Sequence, residues 1–282
     1  MFNNLIDFID RLRKSIILKV FNILLLIISL SYLYNYYLSI DQIKFYKYDS
    51  SIVFPILLIL FGNFINAFGW SQLLDLGKIK TLHISDWAIS SIGKYIPFKV
   101  GIPLLRGSLI LQNEKITTGN FVKKLLIEQL IIIFYSVIFG CYFFLNRDYS
   151  LLALYIFPVI ILLLFIILFF KDKITQKTLP YFTYSIGQWF ILYGLIQVGN
   201  LKYIDIEPKL IFGYFLSATI SLLIINIPAG IGIREAFTLF LLNDIYSKNI
   251  IYDFVINARI LFIFIDLILL AIGLLVRYIY KK

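Results

Sequence analysis

The sequence SSIGKYIPFKVGIPLLRG occupies residues 90–107, inside a long apolar part of the chain. A second stretch, NIPAGIGIREAF at residues 226–237, repeats its Ile-Pro core 131 positions later, with Ile227 in the place of Ile96. Proline and glycine interrupt helices and free backbone groups. In hydrocarbon, such backbone is tolerated only where it is buried in protein or lines a polar cavity. Paired interruptions in two halves of a membrane chain indicate a transporter-type binding site.

The composition predicts a helical membrane protein. The chain has 282 residues, is 61% hydrophobic and 15% charged, and has a mean hydropathy of +0.90. A soluble domain has about 25% charged residues. Several apolar runs of about 20 residues are long enough to cross a bilayer. We therefore predict an all-α, polytopic membrane protein with about 7–8 transmembrane helices.

The apolar runs divide the chain into predicted spans and two exceptions. The exceptions, about 84–110 and 228–245, contain the interrupted motifs and are predicted to be re-entrant or broken helices in a pseudo-repeat. Residues 1–14 have apolar side chains at helical spacing and predict an interfacial amphipathic helix. Residues 15–282 then form a single integral-membrane domain. The uninterrupted runs lie at about 15–34, 52–73, 121–145, 150–170, 180–199, 209–227 and 254–276.

Positively charged loops predict the orientation. Lys and Arg concentrate before the first run, around the first interrupted segment, and between the fourth and fifth runs. If the N-terminus is cytoplasmic, the predicted spans place all three of these basic regions on the cytoplasmic side, as the positive-inside rule requires. The basic C-terminus, with Arg277 and Lys281, favours the same side, which requires one interrupted segment to cross fully as an eighth span. The count leaves open both the side of the C-terminus and whether the repeat is parallel or inverted.

Charge and rare residues exclude several classes of function. The net charge of +10 lies mainly in short loops beside the runs, so it indicates anionic-lipid contacts rather than nucleic acid. With one Cys and one His, the chain cannot form a disulfide framework or a catalytic triad. A metal site is not expected either, and no cofactor is predicted. His83 is predicted to be a solvated loop residue. A glycosyltransferase would need a catalytic acid in an aqueous loop, and the only aspartates in suitable places are Asp49, Asp75, Asp86 and Asp205.

The first motif combines helix breaks with positive charge. We predict breaks at Gly93, Pro97 and Gly101, where freed N–H groups and cations suit a phosphate. The candidate substrate-binding residues here are Lys94, Lys99 and Arg106. The alternative is an interfacial loop whose basic side chains extend to the headgroups.

The second motif offers a similar chemistry. We predict breaks at Pro228, Gly230 and Gly232, followed by a new helix. Arg234 and Glu235 are candidate substrate-binding residues, with the acid placed where the helix dipole favours it. The alternative is an ordinary helix start in which these two side chains pair with each other.

Three further charges lie well inside predicted spans. Such residues cost about 2.5–3.5 kcal/mol each and are functional candidates by default. Glu128 and Arg259 are equivalent at the 131-residue offset, and Asp266 lies seven positions after Arg259 on the same helix face. We predict that these three residues form an intramembrane charge network. Glu128 and Arg259 are each expected beside an opposite charge or a polar cavity, with each other as first candidate partner and Asp266 and Arg234 next.

These residues, in this order, resemble the flippase-like family, which comprises the membrane region of lysylphosphatidylglycerol synthases and its stand-alone bacterial and archaeal relatives. One family element has five positions, Gly-(Lys/Arg)-Tyr-(Ile/Leu)-Pro, and is followed by an Arg. This sequence matches it at residues 93–97, with Arg106 as the later Arg. A second element, ending in Gly, Val or Ile, Arg and Glu, is matched at residues 228–235. The family's Glu and Arg in the spans that follow are matched by Glu128 and Arg259.

The resemblance covers essentially the whole chain, with two departures. Phe98 replaces the usual glycine after the proline, and Ala229 replaces the first of two paired glycines. The soluble aminoacyl-transferase domain of the synthases is absent from this sequence. The resemblance therefore implies a non-enzymatic protein that moves a phospholipid or polyprenyl-linked headgroup between the leaflets of a prokaryotic cytoplasmic (inner) membrane.

Two hypotheses follow for function. The first is translocation of an anionic lipid, a phospholipid or a polyprenyl-linked glycan, through a cationic cavity formed by the two broken helices. The alternative is a non-transporting scaffold or lipid-binding partner of an enzyme that makes an envelope glycolipid or polysaccharide.

Overall fold

The computed structural model describes residues 50–74, 79–95, 101–111, 116–141, 172–202, 209–223 and 232–281. Every regular element in these ranges is a helix, which confirms the prediction of an all-α fold. Short 3-10 turns at Ser50–Ile52 and Ser91–Tyr95 precede the first helix and follow the second. The α-helices are α1 (Val53–Leu74), α2 (Thr81–Ser90), α3 (Gly101–Ile110), α4 (Thr118–Cys141), α5 (Asp172–Lys202), α6 (Lys209–Leu223), α7 (Ile233–Leu242) and α8 (Lys248–Lys281).

Two of the described helices are long and apolar enough to cross a membrane, Ser50–Leu74 and Lys248–Tyr280. They correspond to the predicted spans at 52–73 and 254–276. Only 33% and 28% of the residues in their most apolar windows are buried, whereas the core helix of a soluble protein is mostly buried. The helices α4, α5 and α6 occupy three other predicted spans, whereas residues 1–14 and the runs at 15–34 and 150–170 lie outside the described part of the chain.

The helix containing the first motif is interrupted. Helix α2 ends at Ser90, the 3-10 turn continues to Tyr95, and α3 begins at Gly101. The two pieces meet closely at Gly93, where a Cβ atom would lie 2.5 Å from the carbonyl carbon of Gly101 and 2.5 Å from the amide nitrogen of Ile102. Because real Cβ atoms do not approach backbone so closely, only glycine permits this contact.

The second motif is described from Gly232 onward. Gly232 has a φ angle of 86° and immediately precedes α7. This left-handed conformation favours glycine. Lys99, Pro97, Pro228 and Gly230, which were also predicted as binding or breaking residues, lie outside the described residues.

The two halves of the described chain have the same order of helices. A shift of 131 residues places α1 on α5, α2 on α6, α3 on α7 and α4 on α8. Their contacts follow the same relation, since α1 packs on α5, while α2 packs on α8 and α6 packs on α4. Such an exchange of contacts is what two halves related by a two-fold axis would produce.

The crossing of α1 and α5 depends on glycine. A Cβ atom at Gly62 would lie 2.6 Å from the carbonyl oxygen of Gly187, and one at Gly194 would lie 2.6 Å from the Ile59 side chain. A Cβ atom at Gly69 would lie 2.9 Å from the ring of Tyr184. Small residues at helix crossings let backbones approach closely, as is common in membrane proteins.

The described helices bury many polar side chains within a hydrophobic core, and they also expose large apolar side chains. On α4, the large side chains that face outward recur at helical spacing, at Leu126, Leu130, Phe134 and Val137. Inside, the side chains that are almost completely buried include Asn66, Gln72, Arg106, Glu128, Gln188, Asn257 and Asp266. Large exposed apolar faces mark surfaces that meet lipid or another protein rather than water.

Two predictions about loops are wrong. His83 and Asp86 both lie within α2, with 1% and 4% of their surfaces exposed. The helix starts at Thr81, before the apolar part of the segment, and it is surrounded by other helices. Asp86 forms an ion pair with Arg277 near the end of α8, so its carboxylate is not a loop acid. Asp49, Asp75 and Asp205 lie outside the described residues.

Candidate functional site

The charged side chains of the interior fall into two groups. The first, called the Glu128 cluster here, contains Arg106 from α3, Glu128 from α4 and the polar groups around them. Arg106 and Glu128 form an ion pair with 2.5 Å between Nη1 and Oε2, and both side chains are 2% exposed. Arg106 also donates a hydrogen bond from Nε to Ser90 at 2.8 Å.

The remaining oxygen of Glu128 is also fully used. Its Oε1 atom accepts a hydrogen bond from the indole of Trp87 at 2.7 Å and one from the hydroxyl of Tyr184 at 3.0 Å. The guanidinium of Arg106 stacks over the ring of Trp70, 4.4 Å from its centroid. This cluster joins α1, α2, α3, α4 and α5, and its charges are balanced, as the stability of a buried ion pair requires.

The second group, called the cationic cluster here, contains Lys94, Arg234 and Arg259 with the carboxylates Glu235 and Asp266. It forms where the 3-10 turn after α2 meets the start of α7 and the middle of α8. Lys94 Nζ lies 2.6 Å from Asp266 Oδ2. Because Lys94 belongs to the first half and Asp266 to the second, this ion pair links the two halves.

Tyr95 and Tyr214 complete the cationic cluster. The Tyr95 hydroxyl donates a 2.5 Å hydrogen bond to Asp266, alongside Lys94. Arg234 donates from Nη1 to the Tyr214 hydroxyl at 3.1 Å and lies 5.4 Å from the centroid of that ring. Arg234 and Arg259 are both close enough to Lys94 to interact with it electrostatically.

The start of α7 holds Glu235 in place. Its Oε2 atom accepts a 2.7 Å hydrogen bond from the backbone N–H of Gly232, closing the first turn of the helix. Its other oxygen, Oε1, forms an ion pair with Arg259 Nε. The predicted alternative in which Arg234 and Glu235 pair with each other is therefore wrong, because each has another partner.

The cationic cluster has unused positive charge and unused donors. Among the described residues it holds three cations, Lys94, Arg234 and Arg259, against the two carboxylates of Glu235 and Asp266. Two of its buried nitrogen atoms, Arg234 Nε and Arg259 Nη2, have no hydrogen-bond partner. Buried donors without partners are rare and costly. The side chain of Lys94 is 35% exposed, so the cluster is open at that end.

Glu128 and Arg259 do not pair with each other, although each was the first candidate partner of the other. Glu128 and Arg259 each lie against an opposite charge, which confirms that part of the prediction. The pair between them does not form, because Glu128 binds Arg106 and Arg259 binds Glu235. Asp266 lies with Arg259 in the cationic cluster rather than with Glu128.

Arg106 is placed differently from the other candidate binding residues. Its guanidinium contacts Glu128, Ser90 and the ring of Trp70, so it neutralises a buried acid instead of joining Lys94 and Arg234. The prediction that Arg106 faces a ligand together with those residues is not supported by these contacts. Glu235 remains within the cationic cluster, but as the partner of Arg259.

Several residues of both clusters were missed as site residues. Tyr95 lies beside Lys94 in the first motif, and Trp87 and Ser90 are three positions apart on one face of α2. A polar aromatic residue next to a cation in a broken helix was an available signal for Tyr95. Tyr184 and Tyr214 had no such signal, because tyrosines are frequent throughout this chain, which contains 20 of them.

Comparison of the chain with protein-family models, with curated proteins and with solved structures finds no match in any of the three.

Proposed function

We propose that this protein is a polytopic membrane protein, with about 7–8 transmembrane helices, that moves an anionic lipid between the two leaflets. It is proposed to lie in the cytoplasmic (inner) membrane of a prokaryote, with its N-terminus in the cytoplasm. The sequence resemblance to the flippase-like family points the same way. In this proposal the two interrupted helices are re-entrant elements that meet near the middle of the membrane.

Two features support a membrane location. Two described helices have the length and composition of a membrane span, and only 33% and 28% of the residues in their most apolar windows are buried. Polar and charged side chains are gathered inside, which is the arrangement expected of helices surrounded by lipid.

The cationic cluster is the observation that carries the proposal. A group with more cations than carboxylates, and with buried N–H donors left over, is stabilised by an anion that supplies the missing acceptor. The headgroup phosphate of a lipid has this chemistry. We propose that the phosphate binds Arg234 and Arg259 while Lys94 receives it at the open end of the cluster.

The broken helices explain how a charged headgroup could cross. The contact between Gly93 and Gly101 brings a 3-10 turn and a helix start to one place, and the cationic cluster begins at the next residue, Lys94. The headgroup would move along this polar path, while the hydrocarbon chains stay in the surrounding lipid. The Glu128 cluster would hold the helices around the path, because both oxygens of Glu128 and the charge of Arg106 are already paired.

The test is lipid movement in vesicles. Purified protein is reconstituted with a fluorescent phosphatidylglycerol, and the fraction of label accessible to an impermeant quencher is followed over time. We expect faster exchange between leaflets than in empty vesicles, and slower exchange for Lys94→Gln. The matched control is Lys123→Gln, which removes the same charge from an exposed position on α4 and should leave the rate unchanged.

The scaffold hypothesis predicts a different result. In that case the vesicles show no acceleration with any anionic lipid, and the protein co-purifies with an enzyme of envelope glycolipid or polysaccharide synthesis. Replacement of Arg234 by Ala would then leave the association intact. A lack of acceleration in vesicles that retain folded protein would therefore reject the translocation proposal.

A further inference from the structure

We propose that the cationic cluster selects for a single negative charge, and that the group it binds is a phosphodiester monoanion. This inference rests on the proposed function, since it concerns the same site, and it adds the charge and chemical class of the ligand. It follows from the balance of charges in the cluster and from the number of donors that remain free.

The charge balance leaves room for one anion. Among the described residues of the cluster, the three cations Lys94, Arg234 and Arg259 exceed the two carboxylates Glu235 and Asp266 by one positive charge. A monoanion brings this buried group to neutrality, whereas a dianion would leave a net negative charge between two carboxylates. Uncompensated charge is costly away from water. A neutral headgroup would leave the excess cation and both free donors unsatisfied.

The free donors match a phosphodiester. In the described part of the cluster, Arg234 Nε and Arg259 Nη2 are buried nitrogen atoms without a hydrogen-bond partner. A phosphodiester carries its single charge on two non-bridging oxygens, so it offers one acceptor to each guanidinium. Guanidinium groups are well suited to phosphate because their donors are fixed in a plane. The partners already present hold both arginines, because Tyr214 binds Arg234 and Glu235 binds Arg259.

The two carboxylates act as the selective element. Asp266 is held by Lys94 and Tyr95, and Glu235 by Gly232 and Arg259, so neither is free to move away from a second negative charge. Specificity often depends on such repulsive groups as well as attractive ones. Removing one carboxylate should therefore change which ligand is preferred, and not only how tightly ligands bind.

The test compares lipids that differ by one methyl group. Phosphatidylmethanol is a phosphodiester monoanion, whereas phosphatidic acid, at about pH 8, carries close to two charges. Binding of each lipid to the purified full-length protein is measured by native mass spectrometry. Diacylglycerol and phosphatidylcholine serve as neutral and zwitterionic references. Dimethyl phosphate is added as competitor, and its ability to displace the lipid shows whether a free phosphodiester suffices or the lipid chains are needed.

We expect wild-type protein to bind phosphatidylmethanol about tenfold more tightly than phosphatidic acid, the effect of one modest charge interaction. Asp266→Asn, which adds one net positive charge to the cluster, should abolish or reverse this preference. Glu235→Gln makes the same change in charge, and it replaces Asp266→Asn in this comparison if the Asp266→Asn protein does not fold. Lys123→Gln lies outside the cluster and should keep the wild-type ratio.

Equal or tighter binding of phosphatidic acid by the wild type would overturn the inference, as would a ratio that neither carboxylate substitution changes. Failure of both lipids to bind would overturn it too. Charge-selective binding without movement between leaflets would reject the proposed translocation while keeping the inference about the site. The two proposals therefore fail on different measurements.

Discussion

Glu128 and Arg259 occupy equivalent positions of the two halves with opposite charges, and each forms an ion pair with the short helix that precedes its own helix. Glu128 pairs with Arg106, 22 residues earlier, and Arg259 pairs with Glu235, 24 residues earlier. The repeat therefore keeps a link to the preceding short helix, made two residues earlier in the second half, and exchanges its signs. The first link is fully buried and neutral, whereas the second lies in a cluster with a spare cation.

The first prediction concerns the buried pair. Glu128→Gln should lower the free energy of unfolding by about 3–5 kcal/mol, because it leaves Arg106 charged and without a counterion in the interior. Thermal unfolding in detergent, followed by fluorescence, measures the change. The double variant Arg106→Met with Glu128→Leu should recover much of the loss, since it removes both charges together. A single variant as stable as the wild type would show that this pair does not need its charge.

The second prediction concerns the helix interruption. Gly93→Ala should destabilise the protein by about 1–3 kcal/mol, because its Cβ atom would press on the backbone of Gly101, which cannot give way as a side chain would. The control is Gly119→Ala in α4, where a Cβ atom meets nothing within 4 Å. That change should be neutral or slightly stabilising, since alanine favours helix over glycine. Equal effects of the two substitutions would contradict the close contact at Gly93.

The third prediction separates ligand binding from stability. Arg234→Gln should reduce lipid movement about tenfold or more, because a charge-assisted hydrogen bond to phosphate contributes about 1.5–3 kcal/mol. Its effect on folding should be small, since the ion pair of Glu235 with Arg259 remains. Vesicle exchange rates are compared with those of Lys123→Gln at matched protein content. Unchanged exchange in Arg234→Gln would remove this arginine from the proposed path.

The sequence predicted which charged residues lie inside the protein, but it did not predict which of them form ion pairs with each other. The apolar runs predicted the helices because a span must be continuous and apolar, and the repeat placed Glu128 and Arg259 at equivalent positions. It did not identify Arg106 and Glu235 as their partners, because sequence spacing does not give the direction of a short helix after a break. Each partner lies on such a helix, across a turn from the residue it binds.

The error at His83 and Asp86 has a related cause. The sequence TLHISDWAIS of α2 is too polar to be recognised as a buried helix by the rule that polar residues lie outside. The interior of the described helices contains many polar side chains beside its hydrophobic core, so that rule fails for a helix such as α2 that is surrounded by other helices. The ion pair of Asp86 with Arg277, which lies 191 residues away in sequence, depends on the packing of α2 against α8.

The last prediction concerns the link between the halves. Lys94 and Asp266 are the ion pair through which the first interruption contacts α8, with Tyr95 bound to the same carboxylate. Lys94→Asp would place two carboxylates together and should destabilise the protein. Exchanging the charges, with Lys94→Asp and Asp266→Lys combined, should restore much of that stability, because the attraction returns with its sign reversed. Lipid movement should stay impaired in the exchanged variant, since the cation has moved from the open end of the cluster to the buried one. Thermal unfolding and vesicle exchange measure the two effects separately, and recovery of both together would indicate that the position of the charge at Lys94 is not required for transport.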